Sequence, residues 1–347
     1  MWCVTARSKR GHLTPRQVRG IIAFPASPPP ALQPPATRPV KLIRDLAQLP
    51  DELRGGAVAI GNFDGVHRGH ARIVERLIAQ ARRVGGPAVV FTFDPHPVRL
   101  LRPESAPPPL TWTDRKAQLL VELGIDSMIA YPTDEPLLRL TAREFFDEIV
   151  RGRLDARAMV EGPNFFFGRD RSGTIEVLRE FTAAAGMQLE VVEPVVIDGD
   201  YVSSSRVRKL IAAGDVAGAC HLLTRPYRIR GMVAHGAGRG AKLGFPTANV
   251  EAIDTLLPAL GVYAGIAWVG GRGWPAAINI GPNPTFGEHA HKVEVHLLDW
   301  HDSLYGEPLE VDFVAHLRAI QKFAGIDELR AQLARDLAAT RAAVSTP

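Results

Sequence analysis

Ala57-Val58-Ala59-Ile60-Gly61-Asn62-Phe63-Asp64-Gly65-Val66-His67-Arg68-Gly69-His70 holds a strand, a loop and the start of a helix in one short stretch. The apolar run of residues 57–60 stops at Gly61. Beyond Gly69, the residues Ile73, Val74, Leu77, Ile78 and Ala81 recur at spacings of three and four, which predicts an amphipathic helix over residues 70–83. The loop therefore lies at the carboxyl end of a buried strand and the amino end of a helix. Free backbone N–H groups and the positive end of the helix dipole meet there and favour phosphate. Gly65 and Gly69 allow a ligand to approach the backbone. His67 and His70, three apart, can face one anion and donate hydrogen bonds to charge developing on it. As metal ligands the pair lacks an accompanying cysteine or Glu-x-x-His helix.

Outward from this loop, residues 40–222 alternate strand and helix. Strands are expected at 88–93, 127–130, 158–160 and 189–192, and helices at 114–123, 141–150, 175–185 and 204–213. Thr141-Ala-Arg-Glu144 has the form of a capping box, and Gly214 is a helix stop. Such alternation predicts a parallel sheet covered by helices on both faces, with ligands bound outside the carboxyl ends of its strands. From Arg225 the texture changes to short β-rich runs at 227–233, 261–269, 274–280, 293–298 and 309–313, which predicts an antiparallel barrel or sandwich. A closing helix over 327–344 carries Leu329, Leu333 and Leu337 along one face.

The length of 347 residues fits two domains. The formal net charge of +4 is unevenly spread: residues 1–44 hold eight Lys/Arg and no acid, leaving 33 basic against 37 acidic residues beyond them. Residues 1–39, basic and proline-rich, are expected to be a disordered tail without a packed core, and they lack the continuous apolar stretch of a signal peptide. The folded part shows no basic stripe with interleaved aromatics, which argues against nucleic acid as a partner. No apolar run is long enough to span a membrane. Two cysteines, Cys3 and Cys220, make no disulfide framework and point to the cytoplasm.

Five further constellations carry chemistry. Asp94-Pro95-His96-Pro97 makes a rigid loop at the end of the second strand. Glu161-Gly162-Pro163-Asn164-Phe165-Phe166-Phe167-Gly168 follows the fourth, and its rings, bracketed by glycines, can flank a planar ligand. Ser203-Ser204-Ser205-Arg206-Val207-Arg208 opens a helix with hydroxyls that suit a cap, and its two arginines point in different directions. The glycine-rich run of residues 231–249 is neither a P-loop nor a dinucleotide fingerprint, because it lies among β-strands. It ends in Thr247 and Asn249, whose oxygens suit Mg²⁺ already held by phosphates. In Lys292-Val-Glu-Val-His-Leu297, Glu294 and His296 share one strand face and Val293, Val295 and Leu297 the other.

Together these motifs resemble the bacterial bifunctional riboflavin kinase/FAD synthetase (FMN adenylyltransferase) family over residues 40–337, nearly the whole predicted fold. The resemblance implies a Rossmann-like nucleotidyltransferase domain over 40–222 and a β-barrel riboflavin kinase domain with a closing helix over 223–347. It implies that riboflavin, FMN and ATP are bound and that Mg²⁺ assists. In the first domain it gives His67, His70 and Arg208 catalytic roles. Gly61, Phe63, Asp64, Gly65, Gly69, Ser203, Ser204 and Ser205 would bind nucleotide, and Asn164, Phe165 and Phe167 flavin. The position between those two phenylalanines is usually polar or basic in the family and is Phe166 here, with Arg169 and Arg171 close by to compensate. In the second domain it implies that Gly238, Lys242, Gly244 and Pro246 bind ATP, that Thr247 and Asn249 hold the metal, and that Glu294 is the general base. Arg318 and Phe323 would lie near the flavin, and Asn279, Pro284 and Thr285 match an accompanying segment. Two other functions stand beside this one: a different small-substrate nucleotidyltransferase, and a catalytically dead flavin- or nucleotide-binding regulator.

Overall fold

The computed structural model describes residues 40–236, 239–282 and 292–345, with the backbone alone of Arg239 and Lys242. The tail of residues 1–39, Gly238, Pro284, Thr285 and the side chain of Lys242 lie outside the described residues.

Strands β1 (Leu42–Ile43), β2 (Ala57–Ile60), β3 (Ala88–Asp94), β4 (Ser127–Pro132), β5 (Ala158–Glu161) and β6 (Gln188–Val191) form a parallel sheet in the order β1-β4-β3-β2-β5-β6. β2 is central and all four of its residues are buried, as a strand covered on both faces requires. Its alanines face α1 (Arg68–Val84) and α3 (Thr113–Glu122), through Val74, Leu77, Ala117 and Leu120. Val58 and Ile60 face the other layer, with Phe146, Ile149 and Leu178. The short α2 (Pro97–Leu101) and α4 (Glu135–Arg139) follow β3 and β4. The Thr141–Glu144 capping box is formed in both directions at α5 (Ala142–Glu144). The chain then widens into a π-helix over Phe145–Arg153, where the N–H of Leu154 reaches the carbonyl of Ile149. α6 (Ile175–Ala184) precedes β6, and β7 (Val196–Ile197) and β8 (Asp200–Tyr201) form a small hairpin before α7 (Ser204–Ala212) and α8 (Val216–Leu222).

The second half closes into an antiparallel barrel, β10-β13-β12-β11-β14-β9, from β9 (Tyr227–Ala234), β10 (Ala248–Glu251), β11 (Gly261–Val269), β12 (Arg272–Gly281), β13 (Lys292–Leu297) and β14 (Pro308–Arg318). The short α9 (Arg239–Leu243) lies between β9 and β10. The segment containing β10 reads as a loop in the sequence; register makes it a strand, pairing Val250 with Val233 and with Val293. Val293, Val295 and Leu297 join the interior cluster, so the opposite face of β13, with Glu294 and His296, points outward.

α10 (Ile326–Ser345) closes the chain. Its inner face differs from the expected leucine stripe. Asp336 and Thr340 are the buried residues, because Asp336 receives both forks of the Arg318 guanidinium and an amide N–H from Gln332. A buried carboxylate is tolerated where such a partner satisfies it. The other structural surprise is α7. Val207 and Ile211, with Val216, Ala219 and Leu222 of α8, belong to the apolar cluster of the barrel, while Ser204 and Arg208 on its other side face the loop after β2.

Candidate functional sites

The loop after β2 carries conformational strain. Phe63 and Val66 adopt left-handed backbone with φ of 46° and 40°, a cost that the surrounding structure must offset. Gly65 has φ +82°, and a Cβ there would meet Leu110 at 2.8 Å. Its glycine thus serves contact within the protein. His67 N-caps α1, its Nδ1 accepting the His70 backbone N–H at 3.3 Å, so the neutral ring carries its proton on Nε2. The two imidazoles stack with centroids 3.7 Å apart. Burial lowers the pKa of His67 to about 4 against the opposing pull of Asp64. Burial, then His67 and Lys116, hold His70 well below its ordinary value. Both rings are therefore neutral donors near pH 7. The buried Nδ1 of His70 and the buried Oδ1 of Asn62 have no hydrogen-bond partner among the described residues. Unsatisfied buried polar atoms are costly, and two where the loop meets α1 mark a surface shaped for a ligand.

Asp64, expected at the phosphates, is fully occupied. It accepts from the N–H groups of Leu110 and Thr111, from the Thr111 hydroxyl and from Arg208. Arg208 also donates to the carbonyl of Pro108 at 3.0 Å. The guanidinium is thereby fixed beside the loop. Ser203 caps α7 through the N–H of Arg206, Ser204 donates to the carbonyl of Asp64 at 2.9 Å, and Ser205 is exposed. Arg206 points elsewhere, donating to the carbonyls of Ile197 and Asp200 in the small hairpin. A cavity of about 320 Å³ opens beside Asn62 and Asp64, lined also by His96, Lys116 and Arg208, and by Arg230 and Asp254 from the barrel half. Arg230 lies over the Trp112 ring at 4.8 Å and pairs with Asp254 at 2.8 Å. The sequence motifs assign no role to Asn62 or Lys116; a cation on the apolar face of α3, beside Ala117 and Leu120, was the available signal for the second.

The aromatic run after β5 divides. Phe167 is buried against Phe145 and Phe181 in the core. Phe165 stacks on it at 5.4 Å and is half-buried. Asn164 and Phe166 are exposed, and Arg171 lies over the Phe166 ring at 4.3 Å. Arg169 lies 3.9 Å from Asp170. Glu161, just before this run, is a buried carboxyl that accepts the Ile60 N–H, and burial raises its pKa well above the usual range.

On the barrel, register builds the second site. Glu294 stands opposite Asn249 on one neighbouring strand and opposite Asn279 on the other, and the Asn279 amide donates to its carboxylate at 3.3 Å. Gly236 admits the Asn249 side chain, since a Cβ there would meet its amide at 2.0 Å. Thr247 adjoins the first turn of α9, where a Cβ on Gly240 would lie 3.4 Å from its hydroxyl. Gly244, with φ +89°, and Pro246 are exposed; the Pro246 carbonyl is 2.6 Å from His296 Nδ1. Arg318 and Phe323 come together, the guanidinium 5.7 Å from the buried ring. The structure thus gathers Thr247, Asn249, Glu294 and Asn279 on one outer face. Among the described residues, no group of three His, Cys, Asp or Glu side chains is placed to hold a metal. Nor is any described helix long and apolar enough to cross a membrane.

Comparison with known proteins gives two family matches in tandem: an FAD synthetase model over residues 49–206 and a riboflavin kinase model over residues 223–344. A bifunctional riboflavin kinase/FMN adenylyltransferase of Pseudomonas fluorescens is 39% identical over 304 residues, covering 87% of this chain and 97% of that protein. The protein of the same description from Escherichia coli K12 is 36% identical, covering 86% and 96%. Among solved structures, one described as a macrolide-efflux protein from Streptococcus pneumoniae superposes with a TM-score of 0.77 at 30% identity, covering 87% of this chain and 98% of its own.

Proposed function

The chain belongs to the bifunctional riboflavin kinase/FMN adenylyltransferase family, and from that premise we propose how its residues divide two reactions. It phosphorylates riboflavin with ATP to give FMN and ADP, and joins FMN to AMP from a second ATP, giving FAD and pyrophosphate. The alternatives, another small-substrate nucleotidyltransferase or a dead regulator, explain only part of a chain matched in both halves.

The adenylyl transfer belongs to the loop after β2, in the domain of residues 40–222. A phosphate oxygen of FMN attacks the α-phosphorus of ATP, and pyrophosphate leaves. His67 and His70, neutral and rigidly stacked, donate hydrogen bonds to oxygens on which charge grows. Arg208, anchored by Asp64, meets the triphosphate; Asp64 itself positions. Ser203, Ser204, Gly61, Phe63, Gly65 and Gly69 shape the pocket, with Ser205 and Asn164 at its rim. Phe165 offers a face to the flavin while Phe167 supports it from the core. The orphaned polar atoms of His70 and Asn62 carry this assignment.

The kinase reaction belongs to the outer face of the barrel, in the domain of residues 223–347. Glu294 accepts the ribityl hydroxyl proton as the oxygen attacks the γ-phosphorus, with Asn279 orienting its carboxylate. Thr247 and Asn249 fit Mg²⁺: they are neutral oxygen donors beside a carboxylate, a set that suits a cation sharing its shell with phosphates. Bound there, Mg²⁺ would neutralise phosphate charge. Gly238, Lys242, Gly244 and Pro246 are assigned to ATP binding. Arg318, held by Asp336, positions Phe323 at the flavin. Neither nucleic acid nor membrane is a partner, and two cysteines fit the cytoplasm. Incubating the full chain with riboflavin and ATP and separating flavins by chromatography tests the whole assignment: FMN and FAD are both expected, and absence of either removes the corresponding half.

A further inference from the structure

Lys116 is in an unfavourable place for a cation. Its residue exposure is 8%. It sits in the first turns of α3, its N–H bonded to the carbonyl of Trp112, where the positive end of the helix dipole opposes an ammonium. Among the described residues its ammonium has no ion pair or hydrogen bond. Burial lowers its pKa despite the more distant pull of Asp64 and Asp94. Neither acid is free to neutralise it: Asp64 is occupied by Arg208 and the 110–111 backbone, and Asp94 takes the Thr113 hydroxyl at 2.7 Å and Arg44 at 3.2 Å. Yet the side chain lines the 320 Å³ cavity together with Arg208 and His96, and its charge is felt at both His70 and His96. Desolvation, dipole and missing partner all weigh against the cation, and a phosphate entering the cavity relieves all three.

We propose that Lys116 is a phosphate-holding residue of the adenylyl-transfer cavity, its ammonium contacting phosphate oxygens brought by FMN or by ATP. This rests on the adenylyltransferase assignment above. The protein keeps a destabilising buried charge in the free state because the substrate completes it, a trade of stability for activity.

The test uses the full chain with Lys116→Met, which keeps an apolar stem, and Lys116→Arg, which keeps the charge. FAD and pyrophosphate formation from supplied FMN and ATP is measured with each substrate varied in turn, alongside riboflavin phosphorylation. Melting is followed with and without inorganic pyrophosphate or FMN. Lys116→Met is expected to lose about 100-fold or more in kcat/KM for adenylyl transfer, as loss of a charge-assisted phosphate contact would. Riboflavin phosphorylation stays within twofold, and the ligand-free variant melts at or above the wild type. Lys116→Arg retains activity within about tenfold. Pyrophosphate that stabilises the wild type but not Lys116→Met assigns the contact to ATP; FMN showing that pattern assigns it to the FMN phosphate. A Met variant that makes FAD within threefold of the wild type at unchanged KM values overturns the proposal. So does one that melts well below the wild type, since Lys116 would then be a structural strut. Wild-type protein that binds pyrophosphate through Lys116 yet forms no FAD would sink the adenylyltransferase assignment and leave the phosphate site standing.

Discussion

The loop after β2 and the outer face of the barrel, each proposed to hold a polyphosphate against a flavin, are built by opposite means. The first draws groups from strand ends and helix starts scattered along the chain, and buries them. His67, Asp64 and Lys116 are each less than a tenth exposed, and Phe63 and Val66 adopt strained backbone. The second uses neighbours in register, Asn249, Glu294 and Asn279, on half-exposed strand faces without such strain. A site at the end of a parallel sheet is preorganised by burial and stores strain. A site on a barrel face is preorganised by the hydrogen-bond ladder and leaves its polar groups near water. The two sites should therefore respond differently to substitution and to pH, and α7 should couple their stability, since it serves the first with Ser204 and Arg208 and the barrel with Val207 and Ile211.

The largest separation is expected from Glu294→Gln, which keeps shape and removes basicity. FMN formation should fall roughly 10²–10⁴-fold, the span of general-base catalysis, while FAD formation from supplied FMN stays near normal. Near-normal riboflavin phosphorylation would make Glu294 a structural carboxylate. Next, His70→Ala should cost about two orders of magnitude in FAD formation through loss of a preorganised donor, with riboflavin phosphorylation intact; unchanged FMN-to-FAD turnover contradicts the assignment.

Acid should bear on stability most heavily through the first site, although burial also lowers the pKa of His296 on the barrel face. His67 has a pKa of about 4 in the fold and 6.5 in the unfolded chain, so the unfolded chain binds a proton that the fold refuses. Its favourable balance is present above pH 6.5 and is lost as pH falls to about 4, on the order of 3 kcal/mol. His70 and His96 act in the same direction. Melting temperatures between pH 7 and 4 should fall less steeply for His67→Gln than for the wild type; parallel curves would show that the ring titrates normally. Smaller still is the effect of truncation. Fragments starting at Ser203 and at Leu223 should both phosphorylate riboflavin, but the shorter lacks Val207, Ile211, Val216, Ala219 and Leu222 and should melt several degrees lower. Equal melting would show the barrel needs neither helix. Deleting residues 1–39 should change either activity by no more than about twofold.

Much of this was legible from periodicity and spacing. Ala57–Ile60 and the i, i+3, i+4 pattern after Gly69 are local signals, and the structure has the strand and helix there. The Thr141–Glu144 box formed because both its hydrogen bonds are local. What stayed hidden depends on partners distant in sequence. Alternation in Lys292–Leu297 gave two faces but not which turns inward; that is decided by the interior of Tyr263, Ile278 and Val311. β10 became a strand only through pairing with β9 and β13. Leu329, Leu333 and Leu337 promised an apolar face, but Arg318 draws Asp336 into a buried position on it. That Leu110, Thr111 and Arg208 saturate Asp64 is likewise a tertiary fact.

One chain, on this proposal, holds two sites whose reactions run in series and can be cut apart. The most direct measurement is a time course of flavin products from riboflavin and ATP, resolved by chromatography for the wild type, Glu294→Gln and His70→Ala. Expected are FMN followed by FAD for the wild type, accumulated FMN with little FAD for His70→Ala, and unconverted riboflavin for Glu294→Gln, which still makes FAD when given FMN. If either variant loses both activities while remaining folded, or if His70→Ala makes FAD at the wild-type rate, the two-site division is wrong.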